Sequence, residues 1–432
     1  MRKLKVIIAI TLLVIYATLP CCAQNEQRDS VSADSDEFVT ASLLISEPLH
    51  ALYSVFGHAT LRMECPTHKL DYVFTFESDP NISTFMTGIA GKAKAKYIAV
   101  PTDTFINDAR RIGRGLKQYK LNLTPREKQE LWRLLDEDMM AGAYRNFNLL
   151  FTNCLTTSIL NMQGCLIGEH FEWGALEYPQ TENDGELFRH AVRHSPWAEF
   201  LFITFGGTAY DRRSVQEYRL TPETIIPMLR KATITNDSTG VSRFVVTAPG
   251  KTLVESSGKD KATPITPNIV FGGLLLLTLL ITLAEWVLHW YQIAKVYDIL
   301  LFTAQLLVSI LMLYVTFFSE LFVTQWNWYL VVFLPLPLLF WQIRNKKTAS
   351  HCWLCYSIVL VLFILSTPFI GILDWSHQLI TGAITIRSIN SLFNNIDYEK
   401  EIHKQFEAYF IDMLIRCFGH RRSISSPKLI SV

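Results

Sequence analysis

Charge is scarce in this chain. Only 18% of its 432 residues are Asp, Glu, Lys or Arg, and the net charge at neutral pH is +1. Basic residues are scattered among carboxylates through the N-terminal half, so no face offers the cation density that a phosphate backbone requires, and nucleic-acid binding is excluded. Paired cysteines are also lacking. Of the eight, Cys21 and Cys22 lie in an N-terminal apolar run, and only Cys65, Cys154 and Cys165 precede the long apolar segments. That odd number argues against a disulfide-stapled scaffold and leaves at least one thiol to be explained. Metal-ligand pairs are missing as well: His351-Cys352-x-x-Cys355 begins an apolar segment and has no second ligand pair, so membrane packing accounts for it better than zinc. No metal or other cofactor is expected.

What is abundant is apolar. Half of the residues are hydrophobic and the mean hydropathy is positive, which points to a membrane protein. The basic start Met1-Arg-Lys-Leu-Lys5 followed by an apolar run reads as a secretory signal over residues 1–23, cleaved after Ala23. A lipoprotein signal acylated at Cys21 or Cys22 competes, but it would place Pro20 or Cys21 where a small residue is usual. Residues 24–266 form a mixed α/β region large enough for its own core. Apolar segments follow at 267–288, 296–318, 326–341, 352–369 and 373–393, a transmembrane domain of about five helices over residues 267–395. The third is short and carries Pro335 and Pro337; the fifth carries Asp374, His377 and Arg387, costly in lipid unless they face other helices. Lys295, Arg344, Lys346, Lys347, Arg416, Arg421 and Arg422 place the tail, 396–432, in the cytoplasm and the α/β region outside.

Within that region, residues 38–45, 52–63 and 70–76 are strand-like, and the last two form a hairpin across Glu64–Lys69. Thr124-Pro125-Arg-Glu127 is a helix start with a capping box, and Thr221-Pro222-Glu223 begins another helix ending near Ala232. Residues 236–266 read as a juxtamembrane connection. Asn153-Cys154 opens a short helix that Gly164 ends.

Two residues carry possible chemistry. A cysteine at a helix N-terminus near an imidazole gains thiolate character, and His58, on an apolar strand after Gly57, can supply that imidazole if its strand packs beside the helix. Gly57 would give backbone clearance, and Thr75 or Asp71 on the neighbouring strand would hold the ring. Asn153 or a backbone N–H at the helix start would stabilise an oxyanion. Spacing alone favours a small core cysteine and a satisfied strand histidine over a catalytic pair.

The motifs go further. The run Ala41–Arg62 with Tyr53 and Gly57-His58-x-x-x-Arg62, then Asp71-Tyr-Val-Phe74, Gly88-Ile-Ala-Gly91-Lys92, Leu121-Asn-Leu-Thr124, Asn153-Cys154, Ser195-Pro196-Trp197, residues 205–212, Ser319-Glu320 and Trp326-Asn327-Trp328 resemble the Lnb family of bacterial lipoprotein N-acyltransferases. The resemblance implies an α+β, circularly permuted papain-like thiol domain in the periplasm followed by five transmembrane helices in the inner membrane. It makes Cys154 and His58 the catalytic pair, with Tyr53, Arg62 and Asp71 as supports. A membrane phospholipid would be the acyl donor and a lipoprotein N-terminus the acceptor. Glu320 and Asn327 are candidates at the membrane edge, although a solvated carboxylate also fits Glu320. Lys92, Lys94 and Lys96 would meet head groups or form a solvated face. The chain departs from the family pattern at Thr152, at Thr157 and over Phe74-Thr75-Phe76-Glu77, which puts the residue orienting His58 in question. A cell-envelope thiol peptidase or amidase, or a degenerate domain that binds a lipid or partner, are the alternatives.

Overall fold

The computed structural model describes residues 39–78, 87–88, 90–148, 152–174, 184–207, 221–321, 324–369 and 373–418. The expected signal segment, most of the 205–212 motif and the end of the tail lie outside the described residues. Alternating apolar residues build the first domain. Strands β1 (Thr40–Ser46), β2 (His58–Cys65), β3 (Leu70–Glu77) and β4 (Lys94–Pro101) are successive antiparallel neighbours. Helix α1 (Thr102–Ile112) follows, then β5 (Leu116–Lys120), α2 (Pro125–Ala141), the short β6 (Arg145–Asn146) and α3 (Cys154–Gly164).

The rest of the domain is β7 (Glu169–Glu172), α4 (Asp184–Val192), α5 (Pro196–Phe205), α6 (Pro222–Lys231), β8 (Thr233–Asn236), β9 (Ser242–Phe244) and β10 (Lys251–Val254). The main sheet runs β10-β5-β1-β2-β3-β4-β6, and β7-β8-β9 form a second, smaller one. Leu43, Ile45, Leu61, Met63, Phe74 and Phe76 meet Leu131 and Leu135 of α2 and Leu155, Ile159 and Met162 of α3. On the opposite face Leu44, Val73 and Leu116 meet Ala109 and Phe105 of α1. The sheet is therefore covered on both sides, and α3 is fixed against β2.

The start chemistry read from the sequence is realised at α2. Thr124 Oγ1 accepts the Glu127 N–H and Glu127 Oε2 accepts the Thr124 N–H at 2.7 Å, with Pro125 in the first turn. The β2–β3 hairpin closes through a 3₁₀ turn at Pro66–His68, followed by Lys69 at φ 55°. The 236–266 stretch is more than a connection. It contains β9 and β10, and β10 is an edge strand of the main sheet paired to β5. Its short run is flanked by Ser, Gly and Lys, which hid its pairing.

Three of the five expected apolar segments form helices long and apolar enough to cross a membrane: α7 (Pro267–Leu288), α8 (Tyr291–Phe318) and, beyond the third segment, α11 (Lys346–Ser366). The third segment is two short pieces, α9 (Leu330–Phe333) and α10 (Leu336–Phe340), interrupted where Pro335 and Pro337 remove backbone donors. The fifth lies in α12 (Trp375–Phe418), packed on α7 and α11. Its polar residues face protein. Arg387 is fully buried and forks onto Asp298 of α8 (2.5 and 2.8 Å) while bonding Glu285 and Thr282 of α7 (both 2.9 Å). Asn390 and Asn394 donate to the Glu285 carboxylate at 2.8 and 3.0 Å. Higher up, the buried His377 bridges Asp374 (2.6 Å) and Thr204 of α5 (2.9 Å), with its ring stacked on Phe200.

Candidate active site

The strand carrying His58 begins at a forced turn. Gly57 has φ +78°, and a Cβ there would meet the Ser46 carbonyl oxygen at 2.7 Å, so only glycine lets β2 start at this point. The clearance that the glycine provides is against the end of β1, rather than beside the imidazole itself. His58 Nε2 lies 2.7 Å from Thr75 Oγ1 on β3, and the Thr75 hydroxyl donates onward to Glu77 Oε1 at 3.0 Å. That direction fixes the tautomer. Thr75 spends its proton on Glu77, so its oxygen accepts from His58 Nε2–H and the lone pair of the neutral ring is on Nδ1. Of the two residues considered for holding the ring, Thr75 is the one in contact. Glu77, two positions along the same strand face, is the further partner that sequence reasoning registered only as a departure.

Cys154 is the first residue of α3. Asn153 caps the helix: its Oδ1 accepts from the N–H groups of Leu155 and Thr156 at 2.9 Å each, and Thr156 Oγ1 accepts the Asn153 N–H in return. The Asn153 carbonyl oxygen is thus committed to the cap. The backbone at Ala59, the residue after His58, and that of Cys154 and Leu155 at the start of α3 both favour negative charge on the Cys154 sulfur. The thiol therefore lies against the start of β2, with partial solvent access.

Electrostatics at this point favour neutral groups. Burial pushes the Cys154 thiol above its ordinary range and outweighs the lowering influence of the Ala59 N–H, the helix start and the Arg114 guanidinium. Burial, and then the Arg114 charge, pull the His58 imidazole down to about 3. A helix N-terminus and an imidazole together were expected to favour thiolate, but desolvation is the larger effect here. Both residues therefore rest neutral, one as a thiol and the other as an imidazole.

The N-terminal domain over residues 24–170 matches the family model of the Lnb N-terminal periplasmic domain, and residues 259–399 match that of the Lnb transmembrane domain, together covering more than half of the chain. The chain belongs to the Lnb family. It is thus a membrane protein with a periplasmic domain. Neither a curated protein nor a solved structure was found to match it.

The remaining residues singled out in this Lnb chain occupy three places. Arg62 and Asp71 form a two-bonded ion pair (2.8 and 2.6 Å), to which Thr102 of α1 and Gln118 of β5 add hydrogen bonds. This network binds β2, β3, β5 and α1 to one another. Tyr53, on the 3₁₀ turn Leu52–Ser54, is 91% exposed and within electrostatic reach of Arg114. Glu320 and Asn327 lie where the periplasmic domain meets the helices. The Glu320 N–H donates to the Ala90 carbonyl at 2.9 Å, its carboxylate is 3.7 Å from Lys92 Nζ, and Asn327 Nδ2 donates to the Thr204 carbonyl at 2.8 Å. Lys94 bonds Asn146, and Lys96 sits over the Tyr144 ring. Among the described residues no group of three or more His, Cys, Asp and Glu side chains is placed to hold a metal ion.

The Thr75 link has a measurable consequence. Thr75→Val keeps the shape of the side chain and removes the acceptor, so His58 loses the bond that keeps its proton on Nε2. For a reaction that uses His58 as its base, an order-of-magnitude loss in turnover is expected with little change in KM, since a single hydrogen bond of this kind is worth about 0.5–1.5 kcal/mol, with a further penalty for the unpaired donor. Steady-state kinetics of the purified variant checks it; unchanged turnover would remove Thr75 from the site.

Proposed function

We propose that this protein is a lipoprotein N-acyltransferase that carries its acyl group on Cys154. The observation that supports the reading most strongly is the neutral His58 held through Nε2, which leaves the Nδ1 lone pair available as a base. Cys154 Sγ attacks an ester carbonyl of a membrane phospholipid while its proton passes to His58 Nδ1. The backbone N–H groups at Ala59 and at the start of α3, which favour negative charge at the sulfur, are suited to the oxyanion that forms on the attacked carbon. When the C–O bond breaks, His58 returns the proton to the departing glycerol oxygen and a lysolipid leaves. The N-terminal amine of a lipoprotein then attacks the thioester. Its proton passes through His58 to the sulfur as the C–S bond breaks, giving the amide and the free thiol.

Membrane placement supports the same reading. Acyl chains are costly to present to a water-bathed site, and this thiol domain is tied through Ala90, Lys92 and Thr204 to Glu320 and Asn327 of its own helical region. Five spans in the inner membrane, with the tail in the cytoplasm, complete the proposal. In cells carrying Cys154→Ala, mass spectrometry of lipoprotein N-termini is expected to show free α-amines with the diacyl modification intact. Full N-acylation in that strain would refute the function.

A further inference from the structure

Arg114 is a cation whose charge reaches both Cys154 and His58. It lies between two glycines in the turn from α1 to β5: Gly113 has φ +77°, and a Cβ on Gly115 would collide with the Glu47 carboxylate at 2.3 Å. This tight turn carries the Arg114 side chain back over the end of β1, where Nε donates to the Glu47 carbonyl at 2.8 Å. Nη2 is out of solvent and has no hydrogen-bond partner. The side chain as a whole keeps partial exposure, so the guanidinium is not sealed off.

The nearby carboxylates are engaged elsewhere. Glu47 lies 3.7 Å from Lys117, Glu77 accepts from Thr75, and Asp260 takes both the backbone N–H and Nδ1 of His50 at 2.6 and 2.8 Å. Among the described residues Arg114 forms no salt bridge. Its charge nonetheless acts on Cys154, Tyr53, Glu77 and Asp260, and on His58. A desolvated donor without an acceptor and a cation without an anion are both costly, and a site retains them where a ligand completes them.

We propose that Arg114 is the anion subsite of this centre and binds the phosphodiester of a glycerophospholipid acyl donor, bringing its ester carbonyl to Cys154. The inference rests on the acyl-transfer reading and assigns the donor's head-group side within it. Charge decides which substrate the subsite serves. The acceptor arrives as an amine that is cationic until it loses its proton, and an uncompensated guanidinium disfavours it. A phospholipid has an obligatory anion a few bonds from its ester carbonyls, and the planar fork of arginine matches phosphate oxygens in pairs.

The test uses the full chain in detergent micelles and follows formation of acyl-Cys154 from phosphatidylglycerol and from diacylglycerol with the same chains. Arg114→Gln is expected to lower the ratio of kcat/KM for the phospholipid over diacylglycerol about tenfold or more, chiefly through KM, because a hydrogen bond to a charged group is lost. Arg114→Lys, which keeps the charge but not the fork, should fall between and carries the comparison if the Gln variant loses its fold. An unchanged ratio, including equal losses on both lipids, overturns the subsite alone. Absence of acyl-Cys154 from either lipid in the unsubstituted chain overturns the acyl-transfer reading, and the subsite with it.

Discussion

Substituting His58 by Gln is expected to lower the proposed acyl transfer by about 10²–10⁴-fold, the usual contribution of a positioned general base, while Cys154 remains present and alkylatable. The size follows from the resting charge state. A pair that stored a thiolate beside an imidazolium would lose its thiolate when the imidazole was removed. Here both groups rest neutral, since burial raises the thiol and lowers the imidazole to about 3, so His58 acts during the reaction rather than before it. The pH dependence has a definite sign. From pH 5 to 8 His58 is already unprotonated and gains no charge, so it contributes no acid limb. Alkylation of Cys154 is expected to rise with pH throughout that range and to keep rising past pH 9. A flat alkylation rate from pH 5 to 8, abolished in His58→Gln, would show a stored ion pair and contradict this account.

Arg387→Leu is expected to destabilise the helical domain by about 3–5 kcal/mol. The substitution leaves the Asp298 and Glu285 carboxylates buried between α7, α8 and α12 without their cation, and an unpaired buried charge is the expensive outcome. The cost lies in the leftover charges more than in the lost attraction. Changing Asp298 to Leu and Glu285 to Met together with Arg387→Leu should therefore restore much of the loss. Thermal unfolding of the single and triple variants in detergent measures both. An Arg387→Leu protein as stable as the unsubstituted chain would mean that α12 is not pinned by this network.

Legibility followed sequence distance. The Thr124 capping box, the Pro66 hairpin and the helix opening at Cys154 depend on neighbours within a few positions, and each is where its residues place it. Hairpin geometry narrowed the partner of His58 to Thr75 or Asp71, because both share a strand face. What separates them is the competing claim of Arg62 on Asp71, which requires the three-dimensional sheet. Glu77 was visible as an unusual residue, but its tie to Thr75 was not. Arg114 gave no signal, being an ordinary arginine after a helix whose significance comes from carboxylates that are all occupied elsewhere. In the helices, Arg387 stood out from the sequence as a charge in an apolar run, and Glu285 is another such charge. Their pairing through Asp298 joins three separate helices and could not be read from composition. The third apolar segment was legible only as a problem, through Pro335 and Pro337, and the structure resolves it into two short helices.

The most direct measurement is the mass of the protein after incubation with a phospholipid in the absence of an amine acceptor. The account predicts one added acyl chain, located on Cys154 by peptide mapping, released by hydroxylamine and transferred to a lipopeptide with a free N-terminal amine. An unmodified Cys154 in protein that nevertheless acylates the lipopeptide would contradict it.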